Sequence, residues 1–469
     1  MSLFTLREAA SLIPGAVVSG DENVVFERVS TDSRTAGPGD LFVAIKGDRF
    51  DAHDFLPQVG QRGIAAVLVT RLPDGFAIPA LKVKDTRAAL GALAHGWRTR
   101  FTMPLVAVTG SNGKTTVKEM IASIFAAAVG ASAQLSTAGN FNNDIGLPLT
   151  LLRLNETHKL AVIEVGMNHP GETQTLGKIA APTVAVVNNA QREHQEFMAT
   201  VEAVALEHAS IIHALGSTGT AVFPADDKYA SIWRVAATGN PILDFALNTE
   251  ASQVEAAVTG TLNGTTVLIS TPQGAIEVAL QVLGEHNARN ALAATAAALA
   301  AHVSLADIKR GLEAFVPVKG RLQVKRAVLN PFEGATVIDD TYNSNPDSMR
   351  AAIDVLASQP SPRVLIMGDM GEVGDQGPAF HREVGAYAAQ QGIEALYALG
   401  DASIDSCTAF GAGQHFTDIT QLLTTLIGAG FGPDATFLVK GSRFMKMERV
   451  VDAVTSPQQP AAGMTPAAH

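Results

Sequence analysis

The sequence is short of cysteine, of charged residues and of long apolar runs. Its 469 residues include one cysteine, Cys407, so a secreted scaffold held together by internal disulfides is excluded. Charged residues make up 17% of the chain, and 34 Lys and Arg against 45 Asp and Glu leave a net charge of −11. That balance argues against broad nucleic-acid binding, which needs a basic surface. The chain also lacks a signal-peptide pattern at its start and an apolar run of the ~20 residues that span a membrane. We therefore expect a cytoplasmic, monomeric enzyme without membrane insertion.

The chain has enough apolar residues, 47%, to build several cores. Short apolar runs alternate with helix-length segments, a pattern typical of parallel α/β sheets covered on both faces. The predicted strands cover 41–45, 63–69, 105–108, 161–165, 183–187, 336–339, 363–367, 395–398 and 435–439, and the Ala-rich run 291–301 is a predicted buried helix.

We predict three α/β domains from these patterns. A smaller N-terminal domain covers 1–100, a central domain with a parallel sheet like that of P-loop ATPases covers 101–316, and a doubly wound, Rossmann-like domain covers 317–455. The first boundary is placed in a polar connector at 97–103. The tail 456–469, which is rich in Pro, Gln and Ala, is expected to be disordered.

A glycine-rich segment follows the strand predicted at 105–108. Thr109-Gly-Ser-Asn-Gly-Lys-Thr-Thr116 leads into a helix, an arrangement in which backbone N–H groups and the helix N-terminus bind phosphate. Lys114 would supply charge to the β- and γ-phosphates, and the Thr115 hydroxyl is placed to ligate Mg²⁺. The predicted ATP-binding residues are Gly110, Ser111, Asn112, Gly113, Lys114, Thr115 and Thr116. The full P-loop pattern, G-x-x-x-x-G-K-[ST], has glycine where this chain has Val108. This departure disfavours the common kinase and GTPase families.

This loop resembles the ATP loop of the Mur ligases and of the folylpolyglutamate synthases, which form an amide from a carboxylate, an amine and ATP. Further segments in the expected order narrow the resemblance to the Mur ligase family over nearly the whole chain. They are Ser30-Thr-Asp-Ser-Arg34, Gly39-Asp-Leu-Phe-Val-Ala-Ile-Lys-Gly47, Gly139-Asn-Phe-Asn-Asn-Asp-Ile-Gly-Leu-Pro148, Asp340-Thr-Tyr-Asn-Ser-Asn-Pro346, Gly368-Asp-Met-Gly-Glu372 and Val439-Lys-Gly-Ser-Arg443.

One segment favours a particular branch of the family. Tyr342-Asn-Ser-Asn345 stands where the ligase that adds the third peptide residue usually carries an Asp-Asn-Pro-type motif. The resemblance therefore implies the ligase that joins D-alanyl-D-alanine to UDP-N-acetylmuramoyl-tripeptide. That reaction uses ATP and Mg²⁺, passes through an acyl phosphate and belongs to cytoplasmic peptidoglycan precursor synthesis.

Glu164 lies in an apolar strand, where a charge is costly unless it is paired or bound to a cation. Because ligands of α/β folds bind at the carboxyl ends of strands, we predict that it binds Mg²⁺, and the resemblance agrees. The resemblance also matches His194 to a histidine near a second metal. The predicted metal-binding residues are Thr115, Glu164 and His194.

The chain departs from the family after this histidine. Relatives have a lysine, often carbamylated, about fourteen residues further on, where this chain has His208. Either His208 or the neighbouring Glu207 would then position the metal, or His208 is an ordinary helix residue.

Nucleotide contacts outside the loop are predicted at four positions. Asn287 and Asn290 are three residues apart and share a helical face, where their amides could read the edge of adenine. The resemblance assigns Arg321 to the γ-phosphate and Asp340 to the ribose or adjacent phosphates. The predicted catalytic residues are Lys114, Glu164, His194 and Arg321.

The substrate residues divide into a nucleotide-sugar group and a peptide group. Ser33, Arg34 and Lys46 suit a uridine diphosphate, although a surface ion-pair network would explain them as well. The residues predicted to hold the peptides are Asn140, Asn142, Asn143, Tyr342 and Asn345. Two alternatives stay open: a folylpolyglutamate-type ligase, and a non-catalytic nucleotide-binding protein suggested by Val108 and the missing lysine.

Overall fold

The computed structural model describes residues 2–47, 49–250 and 253–456. Three α/β domains follow one another along the chain, and each is built around its own sheet. Except for Ser456, the tail predicted to be disordered lies outside the described residues.

The first domain has a five-stranded sheet in the order β2-β7-β6-β5-β4, with β2 antiparallel and the other neighbours parallel, and a small antiparallel β1-β3 pair. Its elements are β1 (Phe4–Thr5), α1 (Leu6–Leu12), β2 (Val17–Ser19), β3 (Val25–Phe26), β4 (Arg28–Ser30), β5 (Asp40–Val43), α2 (Leu56–Gly60), β6 (Ala66–Val69), β7 (Ala80–Lys82) and α3 (Thr86–Arg98).

The central domain has a five-stranded parallel sheet in the order β12-β11-β8-β10-β9 and a separate, mostly antiparallel sheet β13-β14-β15-β16. Its strands are β8 (Leu105–Thr109), β9 (Gln134–Ser136), β10 (Leu160–Glu164), β11 (Val184–Val187), β12 (Thr220–Val222), β13 (Phe245–Asn248), β14 (Val258–Asn263), β15 (Thr266–Thr271) and β16 (Gly274–Ala279). Its helices are α4 (Lys114–Val129), α5 (Gly146–Leu151), α6 (Glu172–Ala180), α7 (Val201–Ala209), α8 (Ala230–Ala236), α9 (Glu285–Ala300) and α10 (Leu305–Ala314).

The third domain has a six-stranded sheet in the order β17-β18-β22-β19-β20-β21, parallel except for β17. Its strands are β17 (Gln323–Arg326), β18 (Thr336–Asp340), β19 (Arg363–Gly368), β20 (Ala395–Leu399), β21 (Gln414–Phe416) and β22 (Thr436–Lys440). Its helices are α11 (Pro346–Ala357), α12 (Gly377–Gln390), α13 (Ile404–Phe410), α14 (Ile419–Gly428) and α15 (Glu448–Thr455).

The central sheet is buried on both faces, which explains its unbroken apolar strands. In β8, Leu105 and Ala107 pack into one core cluster while Val106 and Val108 pack into another. Because successive side chains of a strand point to opposite faces, the two clusters lie on the two sides of the sheet. The Ala-rich α9 belongs to the second cluster, as the sequence predicted, and its small side chains let it pack closely.

The structure corrects the start of the connector predicted at 97–103, because the first two of these residues belong to helix α3. Trp97 and Arg98 end α3 and are buried, and the Trp97 indole Nε1 donates to the Leu154 carbonyl at 2.9 Å. The first domain is therefore joined to the central domain by a packed helix end as well as by the chain.

Within the described ranges, no helix is both long and apolar enough to cross a membrane. Cys407 is buried in α13, and burial raises the pKa of its thiol to about 11.

Candidate active site

Three parallel strands of the central domain end side by side. Glu164 at the end of β10 is in register with Val108 of β8, and Val187 at the end of β11 is in register with Thr109. The glycine-rich loop, the Glu164 carboxylate and the segment after β11 therefore leave the sheet at one edge. This is the edge at which open α/β sheets bind ligands.

The glycine-rich loop fits tightly against an amide network. Gly113 has φ +79° at the start of α4, and a Cβ there would lie 2.5 Å from Asn290 Oδ1 and 2.6 Å from Asn188 Nδ2. Asn188 Nδ2 donates to the Asn112 carbonyl and to Asn290 Oδ1, at 2.8 and 2.9 Å. Glycine is therefore required at 113, and the first-turn N–H groups of α4, which a helix leaves unpaired, face the cavity.

The Lys114 ammonium has three acceptors within the protein. It donates to the carbonyls of Gly110 and Ser111 and to Glu193 Oε2, the last two at 3.1 and 3.2 Å. The Lys114 side chain is 17% exposed. The lysine predicted to meet phosphate is thus held against its own loop by a carboxylate from the segment after β11.

Glu193 is buried between Lys114 and His208. Its Oε1 lies 2.9 Å from His208 Nε2, and the other ring nitrogen of His208 lies 3.0 Å from Thr109 Oγ1. Burial by itself would raise the pKa of Glu193, but the charge of Lys114 and the hydrogen bond from His208 outweigh it and lower the pKa to about 2. The carboxylate is therefore ionised at neutral pH.

Both candidate residues for positioning the metal, His208 and Glu207, contact protein groups in the structure. His208 is fully buried with both ring nitrogens engaged, so it is not an ordinary exposed helix residue. Glu207 accepts from the backbone N–H groups of Gly171 and Thr173, at 2.9 and 2.8 Å, and so caps the start of α6.

The two carboxylate oxygens of Glu164 differ in their contacts. Glu164 is buried at the end of β10, and its Oε1 accepts from Asn142 Nδ2 at 2.7 Å. Oε2 has no hydrogen-bond partner among the described residues. A buried, unpaired carboxylate oxygen at a ligand-binding edge fits a hard cation such as Mg²⁺.

The other two predicted metal ligands are already in contact with protein groups. The Thr115 hydroxyl accepts from Arg321 Nη2 at 2.8 Å. His194, in a left-handed conformation at φ +48°, has Nδ1 2.8 Å from Glu372 Oε2, and this contact lowers the pKa of Glu372. The described residues contain no cluster of three or more His, Cys, Asp and Glu side chains arranged for a metal. A Mg²⁺ held by one carboxylate together with phosphates and waters needs no such cluster.

Residues of the third domain reach the glycine-rich loop. Besides contacting Thr115, the Arg321 guanidinium lies 4.2 Å from the centre of the Tyr342 ring. Asn345, which caps α11, donates through Nδ2 to Asn112 Oδ1 at 2.9 Å. The loop is therefore enclosed by both domains.

Arg192 makes ion pairs with two carboxylates across the boundary between these two domains. It binds Asp347 through its backbone N–H and its guanidinium, and it binds Glu383 at 2.7 Å. The hydrogen bonds that Arg192 donates to Glu383 and Asp347 raise its pKa, and the arginine in turn lowers the pKa of Glu383. Arg192 thus ties the segment after β11 to helices α11 and α12.

Three of the residues predicted to contact the nucleotide are hydrogen-bonded to other protein groups. Asp340 accepts from Lys440 Nζ at 2.7 Å, where β18 and β22 end in register. Asn290 Nδ2 donates to Asn287 Oδ1 at 3.1 Å, and Asn287 Nδ2 donates to the Leu283 carbonyl at 2.8 Å. These asparagines support the loop in this structure. That their amides bind the edge of adenine stays a prediction.

A cavity of about 2100 Å³ between the central and third domains gathers most of the predicted site. Its lining includes Ser111, Asn112, Gly113, Lys114, Thr115, Thr116, Asn140, Asn142, Asn143, Glu164, His194, Asn287, Asn290, Arg321, Asp340, Tyr342 and Asn345. Gly110 belongs to the same loop but is not among the residues that line the cavity. Ser33, Arg34 and Lys46 lie in the first domain away from this lining, and Arg34 forms a surface ion pair with Asp32 at 2.8 Å.

Comparison with known proteins identifies the family. Family models match in chain order: "Mur ligase family, catalytic domain" over 25–98, "Mur ligase middle domain" over 108–298 and "Mur ligase, glutamate ligase domain" over 320–443. The UDP-N-acetylmuramoyl-tripeptide–D-alanyl-D-alanine ligase of Haemophilus influenzae is 41% identical over 442 residues, which cover 93% of this chain and 95% of that protein. The enzyme of the same name from Escherichia coli is 40% identical over 452 residues, which cover 96% and 98%. The chain belongs to the Mur ligase family.

The fold of this Mur ligase also has a close counterpart among solved structures. A crystal structure of MurF from Acinetobacter baumannii aligns with a TM-score of 0.90 at 35% identity and covers 97% of this chain and 99% of that one. The three-domain α/β architecture predicted from the sequence is thereby confirmed.

Sequence reasoning missed several residues that shape the site of this Mur ligase. Glu193, Arg192 and Asn188 all lie in the segment after β11, and each contacts a residue at least 15 positions away. The one available signal was the density of polar residues directly after a buried strand. That signal indicated that a ligand binds at this end of the strand. It did not indicate which distant residues the polar side chains contact.

Proposed function

We propose that this Mur ligase uses ATP to join D-alanyl-D-alanine to UDP-N-acetylmuramoyl-tripeptide in peptidoglycan precursor synthesis. The observation that carries the proposal is the 2.8 Å contact between Arg321 and Thr115, which brings a cation of the third domain onto the predicted phosphate loop. The names of the relatives that are 40% and 41% identical to the chain supply the two substrates.

The reaction proceeds in two steps. The terminal carboxylate of the tripeptide attacks the γ-phosphorus of ATP, the bond to the bridging oxygen breaks, and ADP leaves behind an acyl phosphate. The free amine of D-alanyl-D-alanine then adds to the acyl carbon and loses a proton, and the tetrahedral intermediate collapses with release of phosphate. Activation is needed because a carboxylate is a poor electrophile at neutral pH, whereas phosphate is a good leaving group.

The residues contribute position and charge rather than covalent chemistry. Lys114 and Arg321 would stabilise the negative charge of the transferring phosphoryl group from the central and third domains. Closure of the two domains around the cavity excludes water, which would otherwise hydrolyse the acyl phosphate. Asn140, Asn142 and Asn143, with Tyr342 and Asn345, line the remaining cavity and would hold the peptide portions.

Mg²⁺ fits this site at one well-defined atom. The free Oε2 of Glu164 would hold it, with the Thr115 hydroxyl available once Arg321 turns to phosphate. When bound, Mg²⁺ neutralises charge on the phosphates. His194 would take part through Nε2, with Nδ1 kept on Glu372 Oε2.

The proposal also covers the nucleotide-sugar site, the domain bounds and the state of the enzyme. Ser33, Arg34 and Lys46 of the first domain would bind the uridine diphosphate. We place the three domains at 1–100, 101–316 and 317–455. The enzyme would act as a monomer in the cytoplasm, where ATP is available.

Phosphate release tests the proposal directly. Purified protein is incubated with ATP, Mg²⁺ and UDP-N-acetylmuramoyl-tripeptides that carry diaminopimelate or lysine, with and without D-alanyl-D-alanine. We expect sustained phosphate release only with both substrates, and a pentapeptide product by mass spectrometry. Turnover with a folate and glutamate instead would reject the assignment.

A further inference from the structure

A closed chain of contacts begins and ends in the phosphate loop and passes through Glu193. Thr109 opens the loop and lies 3.0 Å from His208 Nδ1, and His208 Nε2 lies 2.9 Å from Glu193 Oε1. Glu193 Oε2 accepts from Lys114 Nζ at 3.2 Å, which returns the chain of contacts to the loop. Glu193 and His208 are 6% and 0% exposed.

The ionised carboxylate of Glu193 fixes the direction of its hydrogen bond with His208. An ionised carboxylate only accepts, so His208 Nε2 carries the proton that it donates to Glu193. With Nε2 protonated in a neutral ring, Nδ1 accepts from the Thr109 hydroxyl. His208 therefore orients Glu193 and has no ring nitrogen left for a ligand in the cavity.

A lysine needs such a partner if its charge is to be fixed in place. The ammonium is a compact charge on a flexible stem of four methylene groups, unlike the rigid guanidinium of arginine. Two of its three acceptors are carbonyls of its own loop, at Gly110 and Ser111. Glu193 is the third acceptor, and it comes from a different segment of the chain.

We propose that Glu193, held by His208, is a positioning residue that fixes the Lys114 ammonium for phosphoryl transfer. The inference rests on the proposed ligase function, because it concerns the step in which the tripeptide carboxylate takes the γ-phosphoryl group. A cation that is placed before the reaction needs no reorganisation when charge develops in the transition state. The carboxylate belongs to an ordinary side chain and requires no covalent modification.

The test compares Glu193→Gln with a matched control, Glu196→Gln, which changes an exposed glutamate three residues away that is not among the residues lining the cavity. Turnover of the unaltered enzyme with both substrates is established first, and its absence would count against the proposed function alone. In Glu193→Gln we expect kcat to fall about 100-fold, the size of effect that follows misplacement of a reacting group, with KM for ATP within a few-fold. The control should match the parent in kcat and melting temperature, and circular dichroism should show all three proteins folded at the assay temperature.

A double-mutant cycle tests whether His208 acts through Glu193 or independently of it. If His208 acts through Glu193, adding His208→Gln to Glu193→Gln should lower kcat little further, although His208→Gln alone should lower it about tenfold. Should Glu193→Gln fail to fold, His208→Gln alone decides, because it keeps the Glu193–Lys114 pair. An unchanged kcat in that variant would overturn the inference.

Two results with the folded variants would also overturn it. One is an unchanged kcat in Glu193→Gln with tighter ATP binding, which would make Glu193 a resting counter-ion that phosphate displaces. The other is an equal effect of His208→Gln in both backgrounds, which would show that His208 does not act through Glu193.

Discussion

Lys114 is the residue on which the proposed chemistry depends most directly. In Lys114→Ala the loop keeps its backbone, but the charge that would face the β- and γ-phosphates is gone. We expect turnover to fall by about 10³-fold, the upper range for loss of one group that stabilises a transition state. Phosphate release and circular dichroism measure activity and fold, with Lys178→Ala on the exposed face of α6 as the control. Near-normal acyl-phosphate formation in Lys114→Ala would contradict the loop assignment.

The contacts of His208 and Glu193 also predict how the enzyme responds to dissolved CO₂. Relatives often carry a carbamylated lysine, which depends on bicarbonate, at the position where this chain has His208. The carboxylate beside Lys114 here is that of Glu193. Removing bicarbonate should therefore leave the rate unchanged within error, in assays run in degassed buffer with and without added bicarbonate. A rate that rises with bicarbonate, or a modified lysine found by mass spectrometry, would contradict this expectation.

At the residue scale, the sequence indicated groups whose chemistry is local. A glycine-rich turn between a strand and a helix, and a carboxylate inside an apolar strand, each indicate a site without knowledge of any partner. Glu193 carries no such signal, because its meaning comes from Lys114 and His208, 79 and 15 positions away. Only the folded chain reveals that partnership.

At the scale of elements, strands with both faces buried were predicted well and half-exposed strands were not. The predictions at 105–108 and 363–367 differ from β8 and β19 by one residue at the C-terminal end. The sheet β13-β14-β15-β16 was not predicted, because strands such as β14 alternate buried and exposed positions and contain Thr, Gly and Asn. Strands of that composition differ little from loops in sequence.

An ion pair at the start of β19 predicts a pH dependence of stability. Glu394 accepts from the Arg363 backbone N–H at 2.8 Å and pairs with its guanidinium at 3.0 Å. Burial raises the pKa of Glu394, but hydrogen bonds from Arg363 and Ser361 outweigh it and lower the pKa from its ordinary 4.5 to about 2. Since the folded-state pKa is the lower one, this stabilisation is present above about pH 4.5 and is lost as the pH falls towards 2.

The measurement compares Glu394→Gln with the parent by thermal unfolding between pH 7 and pH 3. The variant should be less stable at pH 7 by at most about 1 kcal/mol, because the pair is partly exposed. The difference should shrink as the pH falls below 4.5. Glu333→Gln, an exposed position in the same domain, should show no such trend. A difference that stays constant with pH would reject the role of the Glu394 charge.

At the scale of the whole molecule, Arg192 should control closure of the third domain on the central one. Arg192→Met removes the ion pairs to Asp347 and Glu383 and keeps a side chain of similar length. We expect a larger radius of gyration by X-ray scattering without ligands, and a kcat/KM about tenfold lower, because the site is complete only when the domains close. ATP with both substrates should restore the compact form, with bending near residues 316–320.

Arg350→Met is the matched control for this experiment. Arg350 binds the same Glu383 at 3.1 Å, but both residues belong to the third domain. Its loss should therefore leave the radius of gyration unchanged. Equal expansion in both variants would mean that disturbance of Glu383, rather than the link between domains, causes the effect.

The buried Cys407 has a practical consequence for following this motion. Thiol-reactive dyes attack through the thiolate, and the pKa of about 11 keeps this thiol protonated at neutral pH. The natural chain can therefore serve as a silent background for site-specific fluorophores. Cysteines introduced by Lys178→Cys in the central domain and Thr420→Cys in the third domain occupy exposed positions and would accept a donor and an acceptor dye. Energy transfer between them would report opening and closing in single molecules during turnover.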